Sequence, residues 1–554
     1  MAGHEAQEGL WENLSGSRSQ YLFNNIHELV AGDVKTAKNS SNRGSWAIES
    51  YFGRANYNFD DRYLLTATLR SDGSSRLAHK WGTFPSLALA WRMKNEAFLK
   101  DVETVSNLKL RAGWGIVGNQ NAPEYAYGMT MASSATVWGP GFYPGNIDNP
   151  NLKWERTKAY NTGLDVNLFN NRVEFIMDAY LKNIDNLLMQ VPAPGYTTGA
   201  LIDSPWLNIG EMTNKGMEFT LNTVNIDQKG LFWKSALTFS LNRNKVTKLY
   251  TPTSNIAGSW SSEYITLTQV GYPIGQFYGY KVIGMFKDES DFYQKDASGN
   301  FLLDTDGKRV PVALPEVKEG ELVTINPNGT WVGDFIFEDQ PTVPVYDEEG
   351  NLIGYKPDGI INQDDMVYLG NPAPKFEYGF NNYFSYKGFD LNIIITGVYG
   401  NKIYNEFRRN HINPMQNSGL LKEVTGIARL ELIDPEGSNR DISNVRVANP
   451  EAKIQRITTS DTNQNNRFSN RWIEDGSYLR IKNIVLGYTL PKRIASKFQV
   501  ENFRIYMNIQ NAFTFTNYKG YDPEVGRWNL LMQGIDGARY PSQRIYTFGL
   551  NITL

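Results

Sequence analysis

KAYNTGLDVNL, from Lys158 to Leu168, alternates with period two: Tyr160, Thr162, Leu164, Val166 and Leu168 share one face, and Asn161, Gly163, Asp165 and Asn167 share the other. Successive side chains of a β-strand point to opposite faces, so this stretch reads as a strand with one apolar and one polar side. After a turn at Asn170 and Asn171, Val173, Phe175, Met177, Ala179 and Leu181 alternate with Glu174, Asp178 and Lys182. Leu231, Trp233, Leu237, Phe239 and Leu241 do the same against Lys234, Thr238, Ser240 and Asn242, and Phe503, Ile505, Met507 and Ile509 against Arg504, Tyr506, Asn508 and Gln510. Two architectures use such strands. A sandwich turns the polar side to bulk water, whereas a membrane barrel turns the apolar side to lipid and the polar side to a wet lumen.

The connections decide between them. Tight turns are expected at Asp60-Asp61, Phe169-Asn171, Ile226-Gly230, Lys387-Gly388 and Pro491-Glu501. Between these pairs lie long polar segments: Ser71-Thr83, Val117-Thr157, Lys182-Lys215, Asn242-Pro374, Tyr399-Gly476 and Thr514-Gln543. Short and long alternate throughout, except at Arg92-Asn107, which is longer than its place among the short turns predicts. Short periplasmic turns and long extracellular loops are the habit of outer-membrane barrels, and a sandwich has no reason for them. The fold class expected is therefore all-β, an antiparallel transmembrane β-barrel in the bacterial outer membrane.

At the chain end Tyr546, Phe548, Leu550, Ile552 and Leu554 alternate with Thr547, Gly549, Asn551 and Thr553. In lipid a free strand edge has no hydrogen-bond partner, so this terminal strand is expected to close the barrel. Counting back from it makes Tyr51-Phe59 an inward strand, Leu10-Ser50 an external loop and Met1-Glu8 the tail of an outward strand. About fourteen strands can be placed, with two more expected within Asn242-Pro374; a barrel of fourteen is physically possible, whereas plugged transporters are built with about twenty-two. The whole chain, residues 1–554, thus reads as the C-terminal portion of a barrel. A signal peptide, with a basic stretch ahead of an apolar one, is not found at MAGHEAQEGLWENLSG, and the chain is expected to be a fragment or a mature piece.

Composition narrows the alternatives. There is no Cys, which excludes disulfides, thiolate zinc sites and cysteine nucleophiles. A net charge of −3 gives no reason to invoke nucleic acid. No apolar run of about 18 residues is present, so no helix is expected to span a bilayer. The four histidines, His4, His27, His79 and His411, are scattered, and no G-x-S-x-G, H-E-x-x-H or Walker pattern occurs, so no enzyme activity is expected.

Several stretches resemble the SusC/RagA group of TonB-dependent transporters: Leu69-Leu99, Ser106-Gln120, Asn149-Asp165, Asn208-Phe219, Val270-Phe286, Gly370-Phe380, Glu474-Pro491 and Asn508-Val525. They follow one another in the family's order. The resemblance implies a 22-stranded barrel plugged by an N-terminal domain, importing oligosaccharides or peptides under a SusD-like surface lipoprotein. It also implies energy delivered by the TonB complex through a short motif ahead of the plug. Plug, TonB-contacting segment and early strands do not match anything in this sequence. The rival expectation is a structural or adhesive outer-membrane barrel without transport, and a soluble carbohydrate-binding sandwich is the third.

Three groups of residues carry site expectations. Lys356 to Asp365 resembles the end of an EF-hand-type calcium loop, with Asp358, Asn362 and Asp365 at ligand positions around Gly359. Gly354 and Lys356 stand where acidic ligands belong, so a loop turn competes with a Ca2+ site; no other cofactor is expected. Trp138, Phe142, Tyr143, Trp260 and Tyr264 lie in long external segments, where rings stack on sugars, bury against a lid, or pack loops together. Polar-face residues Asp165, Glu174, Asp178, Lys182 and Arg504 are expected to line the path or meet the plug.

Overall fold

The computed structural model describes residues 1–190, 202–251, 253–318, 320–415, 419–526 and 529–554. They form two compact units, Met1–Thr223 with Arg243–Ser254, and Val224–Asn242 with Asn255–Leu554. Fourteen long strands, β1 to β14 here, form the ladders of these units, each antiparallel to the next long strand in sequence.

The first unit holds β1 (Ala2–Ser17), β2 (Lys38–Phe59), β3 (Tyr63–Ser74), β4 (Trp81–Arg92), β5 (Val105–Asn119), β6 (Glu155–Leu168) and β7 (Val173–Asp185), with parts of β8 (Glu211–Gln228) and β9 (Leu231–Lys248). Register follows the alternation read from sequence. Leu164 on β6 lies opposite Leu110 on β5 and Met177 on β7, so one face stays apolar across three strands. The tight turns are made by residues with positive φ: Asp60 and Asp61 at 53° and 51°, and Phe169 to Asn171 at 53°, 56° and 62°. That left-handed geometry matches the twist of the strands it joins.

Two expectations change here. Residues 10–50 are not one external loop, because β1 and β2 stay paired from Ala2↔Gly53 to Ser17↔Lys38, leaving only residues 18–37 as connection. Polar residues such as Asn39 to Arg43 read as loop, yet a hydrogen-bonded ribbon that runs on into water needs no apolar side. The β3–β4 connection is residues 75–80, shorter than expected for the same reason. The long turn after Arg92 is folded around Glu96, whose carboxylate accepts hydrogen bonds from Arg62, Tyr63 and Trp91.

The second unit holds the remaining parts of β8 and β9 together with β10 (Phe376–Tyr386), β11 (Phe389–Tyr399), β12 (Tyr478–Thr489), β13 (Asn502–Thr516) and β14 (Ile545–Thr553). Among the described residues, 249–375 add no strand to the ladder. They build small sheets instead, one of them joining Asn255–Trp260, Glu263–Gln269, Gln276–Gly279 and Val367–Gly370. The terminal strand forms as read, and Phe548 is 75% exposed. Among the described residues its outer edge has no ladder partner, so closure through it is not seen.

Core and ladder are different places. The buried clusters of the second unit, Phe286, Phe292, Trp331 and Phe335 in one and Ile265, Phe277, Tyr404, Phe468 and Trp472 in the other, belong to the long connections. In the first unit Leu77, Leu152 and Trp154 pack beside Phe84, at the long-connection end of β4. The apolar face of the ladder stays exposed, and among the described residues no second layer covers it within either unit. Aromatic residues mark both ends of that face: on β10, Phe376 and Tyr378 at the long-loop end, Phe384 and Tyr386 at the turn. Ten residues of strand rise about 33 Å, which at a tilt of about 40° gives a band about 25 Å tall, the height of an outer-membrane apolar belt.

Candidate functional site

The polar face of the ladder carries fixed charge. In the first unit Arg111 on β5 holds Asp165 of β6 at 2.7 Å and Asp178 of β7 at 2.9 Å, and Lys109 lies 3.7 Å from Asp165. A Cβ on Gly163 would sit 2.6 Å from Arg111 Cζ and from Asp178 Oδ1, so glycine is what lets three strands share this cluster. Glu174 accepts a 2.7 Å hydrogen bond from Asn222, and the Lys182 ammonium lies 4.7 Å from the centre of the Tyr180 ring. In the second unit Arg504 makes a two-pronged pair with Asp390, at 3.0 and 2.6 Å, above Gly487, where a Cβ would again lie 2.5 Å from both partners. The same device thus recurs: an Arg–Asp pair laid across a glycine. All five polar-face residues expected from sequence are present on that face; four are held by partners on other strands, which alternation alone could not name, and Lys182 meets a ring on its own strand.

The long connections of the second unit are tied by ion pairs, one of them buried on both sides. Asp334 and Arg456 form a two-pronged pair at 3.0 Å, with Asn465 donating to the same carboxylate. Arg409 reaches Glu263 at 2.6 Å, and Arg408 bridges Glu423 and Glu474. These pairs join residues 15 to 146 positions apart, so no local spacing signals them.

The candidate calcium ligands act as turn caps. Gln340 N–H and Asn362 N–H donate to the two oxygens of Asp365, Asp364 N–H donates to Asn362 Oδ1, and Ile360 N–H donates to Asp358 Oδ1. Burial, reinforced by Asp339 and Asp358, pushes the Asp365 carboxyl up to about 6. Among the described residues no group of three or more His, Cys, Asp or Glu side chains is placed to hold a metal ion.

The aromatic candidates divide. Trp138 stands at the tip of the hairpin Met131–Thr136 and Gly139–Pro144, 94% exposed, with Phe142 exposed and Tyr143 half-buried beside it. In the second unit Tyr264 is 59% exposed. Trp260 instead packs on the Ile265 cluster and donates its indole N–H to Glu406 at 2.5 Å, which makes it a loop-packing residue.

The sequence model of the family described as "TonB dependent receptor-like, beta-barrel" matches residues 6–314. The chain belongs to that family. Barrels of this TonB-dependent receptor family are outer-membrane proteins, which places the exposed apolar band in lipid. Among its relatives, TonB-dependent receptor P3 of Formosa agariphila is 32% identical over the whole chain, which covers 50% of that protein. TonB-dependent receptor SusC of Bacteroides thetaiotaomicron is 29% identical, with 94% of the chain and 45% of SusC aligned. The chain therefore spans about half the length of the curated relatives it matches. A structure of the RagAB peptide transporter superposes on the entire chain and 52% of its own with a TM-score of 0.76 at 21% identity, a likeness of fold. These relatives are named as receptors and transporters, not enzymes, in keeping with the lack of catalytic motifs in this TonB-dependent receptor barrel.

Proposed function

We propose that the chain forms part of the wall of an importer that takes oligomeric nutrients, oligosaccharides or peptides, across the outer membrane. TonB would drive it through a segment ahead of the barrel, and a SusD-like surface lipoprotein would cover the loops. The observation that carries this reading is that charged clusters are fixed on the ladder's polar face, while the long connections of the second unit have cores of their own. A barrel that only anchored a surface would need neither. The family's names, SusC and a neighbour titled a peptide transporter, support the same reading. Of the aromatic candidates read from sequence, Trp138, Phe142 and Tyr264 are exposed enough to meet ligand or lid.

The test is uptake. A strain of the source bacterium lacking the full-length gene should lose uptake of one class of labelled oligomer, and the full-length gene should restore it. Restoration should fail when the TonB-contacting segment is deleted. Unchanged uptake of every oligosaccharide and peptide offered would favour the structural barrel. Affinity capture of the full-length protein from membranes should bring down a SusD-like lipoprotein, and its absence would remove the lid.

A further inference from the structure

The apolar face of the second unit is not uniform. At the long-loop end of β10 to β13 it is hollowed into a groove of about 720 Å³, lined by Phe376, Tyr378, Tyr399, Leu479, Phe515 and the polar tips Ser477 and Asn517. Register shows why these rings share one face: Phe376 lies opposite Tyr399, Tyr378 opposite Gly397, Gly397 opposite Leu479, and Leu479 opposite Phe515. Glycine in the middle of that row makes the hollow. A Cβ on Gly397 would meet the Tyr378 ring at 2.1 Å, so the ring can lie down across β11 only because nothing stands there. The row continues into Phe380, Leu391, Ile393 and Leu486, which belong to the band that faces hydrocarbon.

A cation stands beside this groove. Arg544, just ahead of β14, lays its guanidinium 5.4 Å from the centre of the Phe513 ring, two residues from Phe515 on the same face of β13. Its Nε reaches the Asn511 carbonyl at 3.5 Å, and it forms no ion pair among the described residues. An exposed Arg on a face otherwise made of rings and aliphatic groups is costly in lipid unless it meets an anion at the interface. Its planar fork suits phosphate. A slot walled by aromatic rings, opening at the level of the outer leaflet, suits a hydrocarbon chain.

The geometry points to a lipid site: the groove takes an acyl chain of a phosphorylated outer-leaflet lipid, and Arg544 takes its phosphate. The occupant is the solvent this face already contacts, held at one place by one charge. Ser477 and Asn517 at the upper rim meet the polar part of the headgroup.

Native mass spectrometry of the purified full-length protein in detergent tests this, with lipid A, its dephosphorylated form, or phosphatidylcholine added. Wild type should carry one equivalent of phosphorylated lipid A in preference to the other two. Arg544→Glu should lower that occupancy about fivefold or more, since a basic group at a membrane surface contributes on that order, and Arg544→Lys should retain most of it. Leu479→Trp, which fills the slot, should lower binding of phosphorylated and dephosphorylated forms alike. Arg544 is exposed, so its variants keep the fold even if Leu479→Trp does not, and heat-modifiable migration on gels checks each. Equal occupancy in wild type and Arg544→Glu, or equal binding of phosphatidylcholine, overturns the proposal. So does a wild-type dimer that Leu479→Trp abolishes, because the groove would then hold a second copy of the protein.

Discussion

Leu237 on β9 and Ile265 in the loop layer lie in one unit, and each sits in a stretch that alternates apolar with polar. Leu237 is 42% exposed and Ile265 is fully buried. The difference lies in what covers the other side. Thr266 and Thr268, the polar partners of Ile265, are buried too: Thr266 donates to the Leu531 carbonyl and Thr268 accepts from Gly275 N–H. Thr238, beside Leu237, belongs to the polar face of the ladder. Period two therefore reports a strand, while burial of both faces or of neither depends on distant segments. Stability follows the same division, with packing in the loop layer and lipid around the ladder.

The comparison can be broken most directly at its buried charge. Arg456→Ala leaves Asp334 without its counter-ion and should cost the loop layer about 3–5 kcal/mol. Denaturation of the full-length protein, followed by Trp331 and Trp472 fluorescence and separately by β-sheet circular dichroism, should show the first transition shifting and the second holding. Coincident shifts would mean that layer and ladder unfold as one. Leu237→Arg should cost about 2–4 kcal/mol when the protein refolds into phospholipid vesicles, and Thr238→Arg, one residue along on the other face, far less. Equal penalties would remove the assignment of faces.

A third prediction sharpens the layer alone. The Asp365 carboxyl is raised from 3.8 to about 6, so the fold favours its protonated form. Its contribution is full below the ordinary carboxylate value and is lost as pH rises through about 6, a swing of at most about 3 kcal/mol. The loop layer should thus melt at higher temperature at pH 5 than at pH 7.5, and Asp365→Asn should reduce that difference. The smallest effect is at Trp138. Alanine there should change stability by no more than about 0.5 kcal/mol, while weakening ligand or lid binding to the assembled protein. Unchanged affinity would take Trp138 out of the contact surface.

Much of the ladder was legible because its signal is local. Tyr160 to Leu168 needs no partner to be read, and the turns at Asp60-Asp61 and Phe169-Asn171 announce themselves by residue type. Ribbon length was not legible, because Asn39 to Arg43 look the same in a loop and in a strand surrounded by water. Nor was the Asp334–Arg456 pair, since residues 122 apart share no pattern. Of the site candidates, Asp358, Asn362 and Asp365 showed where oxygen atoms gather but not that backbone N–H groups take them up. Arg111 was missed as the partner of Asp165 and Asp178, although it lies in the quoted stretch Ser106-Gln120; its charge on a polar face was the available sign.

The small sheet that joins Asn255–Trp260 to Val367–Gly370 has a consequence for how the chain reaches its final state. Without it, β9 and β10 would have to find each other across the ends of a very long tether, and the entropy of closing a loop grows with its length. By clasping its own first and last segments, the insertion shortens that tether to a few residues before the strands meet. The excursion between them can then vary in length with little effect on the search.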